Sequence, residues 1–411
     1  VFWLPYSMAV MEWAVGLSLA TFIAKRVYLF RKKRDIGWLH IFQPLPNPLN
    51  KPLAAFLLVC FISVFMSDRI QDSFESFFTK TAEPFIIYVL FLEAFRTLKQ
   101  VKVLLTVIVV TALGTGIDAL VQFHITGEDI FLSRPLSKGP RATAGFNAPT
   151  GLGAYLVMSL PLITGFFMSK PAVSVRRSIG MAAALGCLAY ALFLTFSRGA
   201  WLSLALGTIV VLTVYMLVRR YSRKQVVVFL TASTLVCGML LSYYLGNIEK
   251  FSSLNRGVLS WRIDVWKQTV DMIKEKPLFG YGVNTYMRKF HAYRYDRRNI
   301  PQYKRHPATY AHNCYLQIAM ETGLAGLAAF MWILFAYYRF VLSRIRETYH
   351  RHRERGILVF GLMTGITGFF IHAFFDTHFY SLPLAGYLWS MMAVACFLLT
   401  PTATGKGPDN A

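Results

Sequence analysis

Along the 411 residues, long apolar stretches alternate with short polar links. The apolar runs fall at about 8–24, 52–67, 84–95, 103–122, 150–168, 178–196, 200–218, 225–245, 313–338, 357–375 and 381–400, eleven in all. A membrane helix needs roughly 20 mainly apolar residues. The run at 84–95 is short and is expected to begin within the segment before it. Strands of a membrane barrel would alternate apolar and polar positions instead. The pattern predicts an all-α integral membrane protein with about eleven transmembrane helices. Eight lie within 1–245 and three within 312–400, separated by a polar loop at 246–311 and followed by a disordered tail at 401–411.

The polar links set the expected orientation. Those after the first, third, fifth, seventh and ninth runs hold 22 of the 43 Lys and Arg residues, among them Lys25, Arg96, Arg176, Arg219 and Arg344. Short loops rich in Lys and Arg face the cytoplasm. The opposite set, 68–83, 123–149, 197–199, 246–311 and 376–380, therefore faces outward. The loop 246–311 departs from this charge bias, with 13 Lys or Arg against 5 Asp or Glu. Long loops escape the rule, so the orientation stands. The excess cation suits anionic headgroups or an anionic ligand.

Within that loop, Trp261, Val265, Trp266, Thr269, Met272 and Ile273 recur at spacings of three and four, which predicts an amphipathic helix over 261–274. Ser260 is expected to cap it and Pro277 and Gly280 to stop it. Its aromatic residues suggest a helix lying at the outer membrane surface. Tyr281 to Tyr286 reads as a glycine-hinged turn.

Composition agrees. The chain is 55% hydrophobic and 15% charged, well below the quarter usual in soluble domains. The net charge of +23 would suggest nucleic acid in a soluble protein. Here the cytoplasmic loops account for much of it, and no nucleic-acid partner is expected. The five cysteines have no zinc or disulfide spacing. No cleavable signal peptide is evident, and the chain starts at Val1, which fits a missing N-terminal segment.

Four outward-facing places hold candidate chemistry. Arg198 sits in a junction of few residues between two spans, Arg262 on the amphipathic helix, Arg141 in the turn before the fifth run, and His312 where the long loop enters a span. Taken singly, each has a plain explanation: a snorkelling arginine, a solvated charge, a polar turn, a histidine at a helix start. Taken together, they share one side of one membrane. Guanidinium forks match phosphate oxygens, and a neutral imidazole can take a proton from an attacking hydroxyl. This set suits transfer from a lipid diphosphate, with arginines stabilising the leaving group in place of a divalent metal, so no metal or cofactor is expected. Secondary candidates are Arg141, Trp266, Asn313 and Asp376. His372 and Asp376 share a helix face at i, i+4; either they help hold the acceptor or they close the helix end, and the second is the simpler. Glu321, nine residues past His312 and about 13 Å away by helix rise, is expected to orient a neighbouring helix.

The motifs Ser197-Arg198-Gly199, Arg262 to Trp266, Pro277-Leu278-Phe279-Gly280-Tyr281-Gly282, and His312-Asn313 through Leu316-Gln317, Glu321 and Gly323 occur in an order that resembles the O-antigen ligase and polymerase superfamily. Gly145-Phe146-Asn147-Ala148-Pro149 resembles that family's outer turn, with the usual Pro-Asn order altered. The resemblance spans roughly 100–400. It implies a GT-C glycosyltransferase of the bacterial inner membrane that takes a glycan from undecaprenyl diphosphate on the periplasmic side. Ligases pass it to the lipid A core of lipopolysaccharide, polymerases to a second lipid-linked glycan, and other relatives to protein. By the same resemblance Arg198 and Arg262 bind the diphosphate and His312 is the base. Family members often have twelve spans, one more than the eleven read here. A transporter remains as an alternative on the acids in or near spans, Glu12, Glu93, Asp118 and Asp376, although no internal repeat accompanies them.

Overall fold

A computed structural model describes residues 5–32, 46–137, 139–170, 174–246, 256–296 and 310–400. All eleven apolar runs lie on helices. In chain order these are α1 (Met8–Lys32), α2 (Asn50–Val64), α3 (Ile70–Ser76), α4 (Glu83–Ala94), α5 (Leu98–Val121), α6 (Pro149–Met168), α7 (Val175–Leu194), α8 (Arg198–Val218), α9 (Arg223–Gly246), α10 (Arg256–Glu275), α11 (Tyr286–Asp296), α12 (Cys314–Arg351), α13 (Arg353–His372) and α14 (Leu382–Leu399). Among the described residues, 8 helices are long and apolar enough to cross a membrane, and the protein is a multi-pass, all-α membrane protein. The short run at 84–95 does begin earlier: a π-helical turn, Phe77–Ala82, joins α3 to α4. The link at 68–83 is therefore largely helical rather than a loop. The tail after Thr400 lies outside the described residues, as do 247–255 and 297–309 of the long loop, with the basic residues they carry.

Helix α13 forms the centre of the bundle, packed against α6 and α8. Its glycines allow this. A Cβ on Gly361 would stand 2.7 Å from the Pro161 carbonyl, and one on Gly365 2.6 Å from that of Met158. Gly207 of α8 meets the Gly368 backbone at 2.9 Å in the same way. In a membrane the driving force between helices is close packing, and small residues let backbones approach. Gly365→Val should therefore cost about 1–3 kcal/mol through overpacking, read as a lower melting temperature in detergent; an unchanged melt would rule out this seam as a source of stability.

The amphipathic helix is present but longer than expected. It starts at Arg256, so Ser260 lies inside it and does not cap it. Its stripe is used within the protein. Val265, Thr269 and Met272 are buried, and Trp261, Trp266 and Ile273 pack on the same cluster with Tyr281, Tyr286 and Phe290. Residues 286–296, read as loop, form α11; Tyr286, Phe290 and Tyr293 sit at helical spacing and carried that signal.

The Pro-Leu-Phe-Gly-Tyr-Gly motif and Gly323 turn out to be one structural unit. Helix α12 breaks at Gly323, whose φ of 72° lies in the left-handed region. Segment 277–282 presses into the break: a Cβ on Gly323 would stand 2.1 Å from the Leu278 carbonyl. The backbone groups freed by the break are paired with that segment, Tyr281 N with Met320 O at 3.1 Å, Gly282 N with Glu321 O at 2.9 Å, and Leu324 N with Pro277 O at 2.7 Å. Irregular backbone inside a membrane bundle needs such partners. The Glu321 carboxylate then binds the turn that follows, accepting from Asn284 N at 2.8 Å and Tyr286 N at 3.2 Å, from the Tyr380 hydroxyl at 2.7 Å and from Gln317 Nε2 at 3.2 Å. Glu321 thus does orient a neighbour, but the neighbour is the polar loop.

Candidate active site

His312 precedes α12 by two residues. Its φ of 49° is unusual for a side chain of this size, and several contacts impose it. Asn313 caps the helix, its carbonyl oxygen accepting from Tyr315 N at 3.0 Å and Leu316 N at 3.1 Å. Trp266 Nε1 donates to the Ala311 carbonyl at 2.9 Å. Cys314 N donates to Ala373 O at 2.8 Å, and the Cys314 thiol lies 3.1 Å from Asp376 O. These last two contacts staple the start of α12 to the end of α13. As a result His312 Nδ1 lies 3.1 Å from Asp376 Oδ1, a pairing across 64 residues that no spacing in the sequence announces.

Asp376 itself is held by its surroundings. Its backbone N–H bonds the His372 carbonyl at 3.2 Å, and Oδ1 also accepts from Thr377 N at 2.8 Å. Burial alone would push its carboxyl up, but the hydrogen bond from His312, the nearby His378 and a hydrogen bond from Thr150 hold it well below the usual carboxylate range. It is therefore an anion at neutral pH. A carboxylate facing Nδ1 favours the tautomer whose Nδ1–H donates to it, which makes Nε2 the unprotonated, basic nitrogen. The expectation that Asp376 merely closes a helix end is incomplete: its backbone does so, while its side chain orients His312.

The arginines converge on the same place. Arg262 Nη1 donates to the Phe375 carbonyl at 3.1 Å, one residue before Asp376, and its neighbour Trp261 sets its ring edge-on to His312 with centroids 5.4 Å apart. Among the described residues, the Arg262 Nε is buried with no hydrogen-bond partner. Arg198 is the first residue of α8, exposed, and delivered by a tight turn in which Phe196 takes a φ of 47°. Arg141 is tied to the end of α7, its Nε donating to Thr195 O at 2.8 Å. Burial and the charges of Arg198 and Arg262 push Arg141 down from the ordinary guanidinium value, with Asp376 opposing. Three guanidiniums near one carboxylate leave a local excess of positive charge, the setting an anion would relieve.

The structure therefore brings together His312, Asp376, Arg141, Arg198 and Arg262 at one end of the bundle. Asn313 and Trp266 serve it indirectly, one as a helix cap and one as a pin on the 311–312 backbone. Of the acids that left a transporter open, Glu93 pairs with Arg26, and one Asp118 oxygen accepts from Ile130 N at 2.8 Å while the other is buried without a partner among the described residues.

The family model described as O-Antigen ligase matches residues 183–331. That stretch contains Arg198, Arg262, Trp266, His312 and Asn313, so the resemblance read from the motifs holds for the segment that carries most of the site. Arg141 and Asp376 fall outside it and are joined to it by the fold alone. An uncharacterized protein of Haemophilus influenzae is 22% identical over 314 residues, covering 72% of this chain and 73% of that protein. Over residues 183–331 the chain is therefore similar to the O-antigen ligase family.

Proposed function

We propose, taking the O-antigen ligase match as premise, that this protein transfers a glycan from undecaprenyl diphosphate to the lipid A core of lipopolysaccharide at the periplasmic face of the inner membrane. The carrying observation is the His312–Asp376 pair set among Arg141, Arg198 and Arg262. Nε2 of His312 takes the proton of the acceptor hydroxyl as that oxygen attacks the anomeric carbon. The bond from that carbon to the phosphate oxygen breaks, and the diphosphate leaves with the electron pair. Asp376 keeps the imidazole in its basic tautomer and stabilises the imidazolium that forms. The arginines bind the diphosphate and offset the charge that grows on it. Turnover is expected without added divalent metal.

Purified protein should form product from lipid-linked glycan and lipid A core. Product formed only with a second lipid-linked glycan as acceptor would make the protein a polymerase with the same donor chemistry, and no product with either would overturn the reading. Arg198→Ala and Arg262→Ala should each weaken donor binding by about 10–100-fold, the worth of a charge-assisted contact. Titration of undecaprenyl diphosphate onto protein in nanodiscs checks this, and wild-type affinity in both variants would remove the arginines from the diphosphate site.

A further inference from the structure

On another side of Asp376 lies a cavity of about 270 Å³ that the transfer chemistry does not use. It is bounded by the turn Gly145–Ala148, by Asp376–His378 and by the start of α14. Its wall is preformed. The buried Gln122 side chain bonds Thr143 N at 2.8 Å, Ala144 N at 3.1 Å and Arg134 O at 3.0 Å, and Asp129 accepts from Leu132 N at 2.7 Å and Arg134 N at 2.8 Å. Gly145, with φ 80°, passes so close to Tyr6 that a Cβ would stand 2.9 Å from the ring.

The lining combines polar and apolar groups. Arg134, Asn147, Thr377, His378 and Ser381 contribute polar atoms, while Tyr6, Phe146, Pro383 and Leu384 contribute apolar surface. The His378 ring lines the cavity while being only 5% exposed. An anion is a poor occupant: the Asp376 carboxylate lines the same cavity, and Arg134 already directs Nη1 to the Gly145 carbonyl at 2.5 Å. A purely apolar occupant would leave Thr377 and Ser381 unmatched. An uncharged polyhydroxyl ring both donates and accepts and offers C–H faces to Phe146 and Tyr6.

We infer that this cavity is a sugar-binding subsite that seats one uncharged pyranose ring beside Asp376. The inference rests on the glycosyl-transfer reading, and it also gives the altered outer turn a role through Phe146 and Asn147. The ring belongs either to the donor glycan or to the acceptor, and both present the same chemistry.

Saturation-transfer NMR tests binding apart from turnover. The probe is methyl N-acetylglucosaminide at millimolar concentration, with protein in nanodiscs. Wild type and His312→Ala should both transfer saturation to the sugar, and Ser381→Phe, which fills the cavity, should not. Ser381 makes no side-chain cap bond to α14, so the change removes no helix cap, and the exposed Asn147→Ala gives a second, milder loss. Kinetics then separate the sources. For a donor subsite, Ser381→Phe loses the extra affinity for undecaprenyl diphosphate bearing one N-acetylglucosamine and binds the sugar-free lipid as wild type does. For an acceptor subsite, both donor affinities stay and the acceptor KM rises by about tenfold or more. Equal saturation transfer in wild type and Ser381→Phe, or none in wild type, overturns the inference. Saturation transfer retained without any turnover would instead overturn the glycosyl-transfer reading.

Discussion

His312→Ala is expected to lower kcat for glycan transfer by about 10²–10⁴-fold, the usual worth of a positioned general base, while undecaprenyl diphosphate binds as before. In the proposed site anion recognition falls to Arg141, Arg198 and Arg262 and not to the ring, so binding and turnover should separate. His312 holds a φ of 49°, and alanine there would also strain the backbone. His312→Asn is the cleaner variant, because asparagine tolerates the left-handed region and lacks the basic nitrogen. Both should lose turnover together. Single-turnover assays with labelled donor and a separate donor titration make the comparison; a wild-type rate in His312→Asn would remove the base assignment altogether.

Glu321→Ala is expected to destabilise the protein by about 3–5 kcal/mol, since it strands several buried partners at once. The Asn284 and Tyr286 N–H groups, the Tyr380 hydroxyl and the Gln317 amide would lose their common acceptor. The consequence reaches function through the loop. Segment 277–286 anchors the end of α10, and α10 carries Arg262 and Trp266. Loss of the anchor should therefore lower donor affinity as well as the melting temperature. Glu321→Gln keeps one acceptor oxygen and should fall between. Thermal unfolding in detergent, read beside donor titration, tests the link. A melting temperature equal to wild type in Glu321→Ala would mean that the break at Gly323 holds the loop unaided.

Two features of the site were not legible along the chain. The pairing of His312 with Asp376 depends on contacts from the Cys314 N–H and thiol to the backbone carbonyls of Ala373 and Asp376, and backbone carbonyls carry no residue-specific signal. The role of Pro277–Gly282 was equally hidden. Its glycines read as a turn, and they do form one, but their partner is a helix break some 40 residues later. Only the left-handed φ of Gly323 and the close approach of Leu278 make the need for glycine plain.

What the sequence determined by itself was the class of molecule, the place of each long apolar helix, and the candidates for chemistry. Those depend on local properties: apolar length, helical spacing and residue type, each readable over a few turns. Arg198, Arg262 and His312 could be assigned to one side of a membrane from the alternation of spans alone. Tertiary structure decided how these residues meet. It set the amphipathic stripe of α10 against protein rather than lipid, turned Asp376 from a helix end into the partner of His312, and joined two distant motifs through Glu321. The physical reason is that helix position follows from short-range hydrophobic pattern, whereas the site is built from backbone hydrogen bonds and close glycine contacts between segments far apart in the chain.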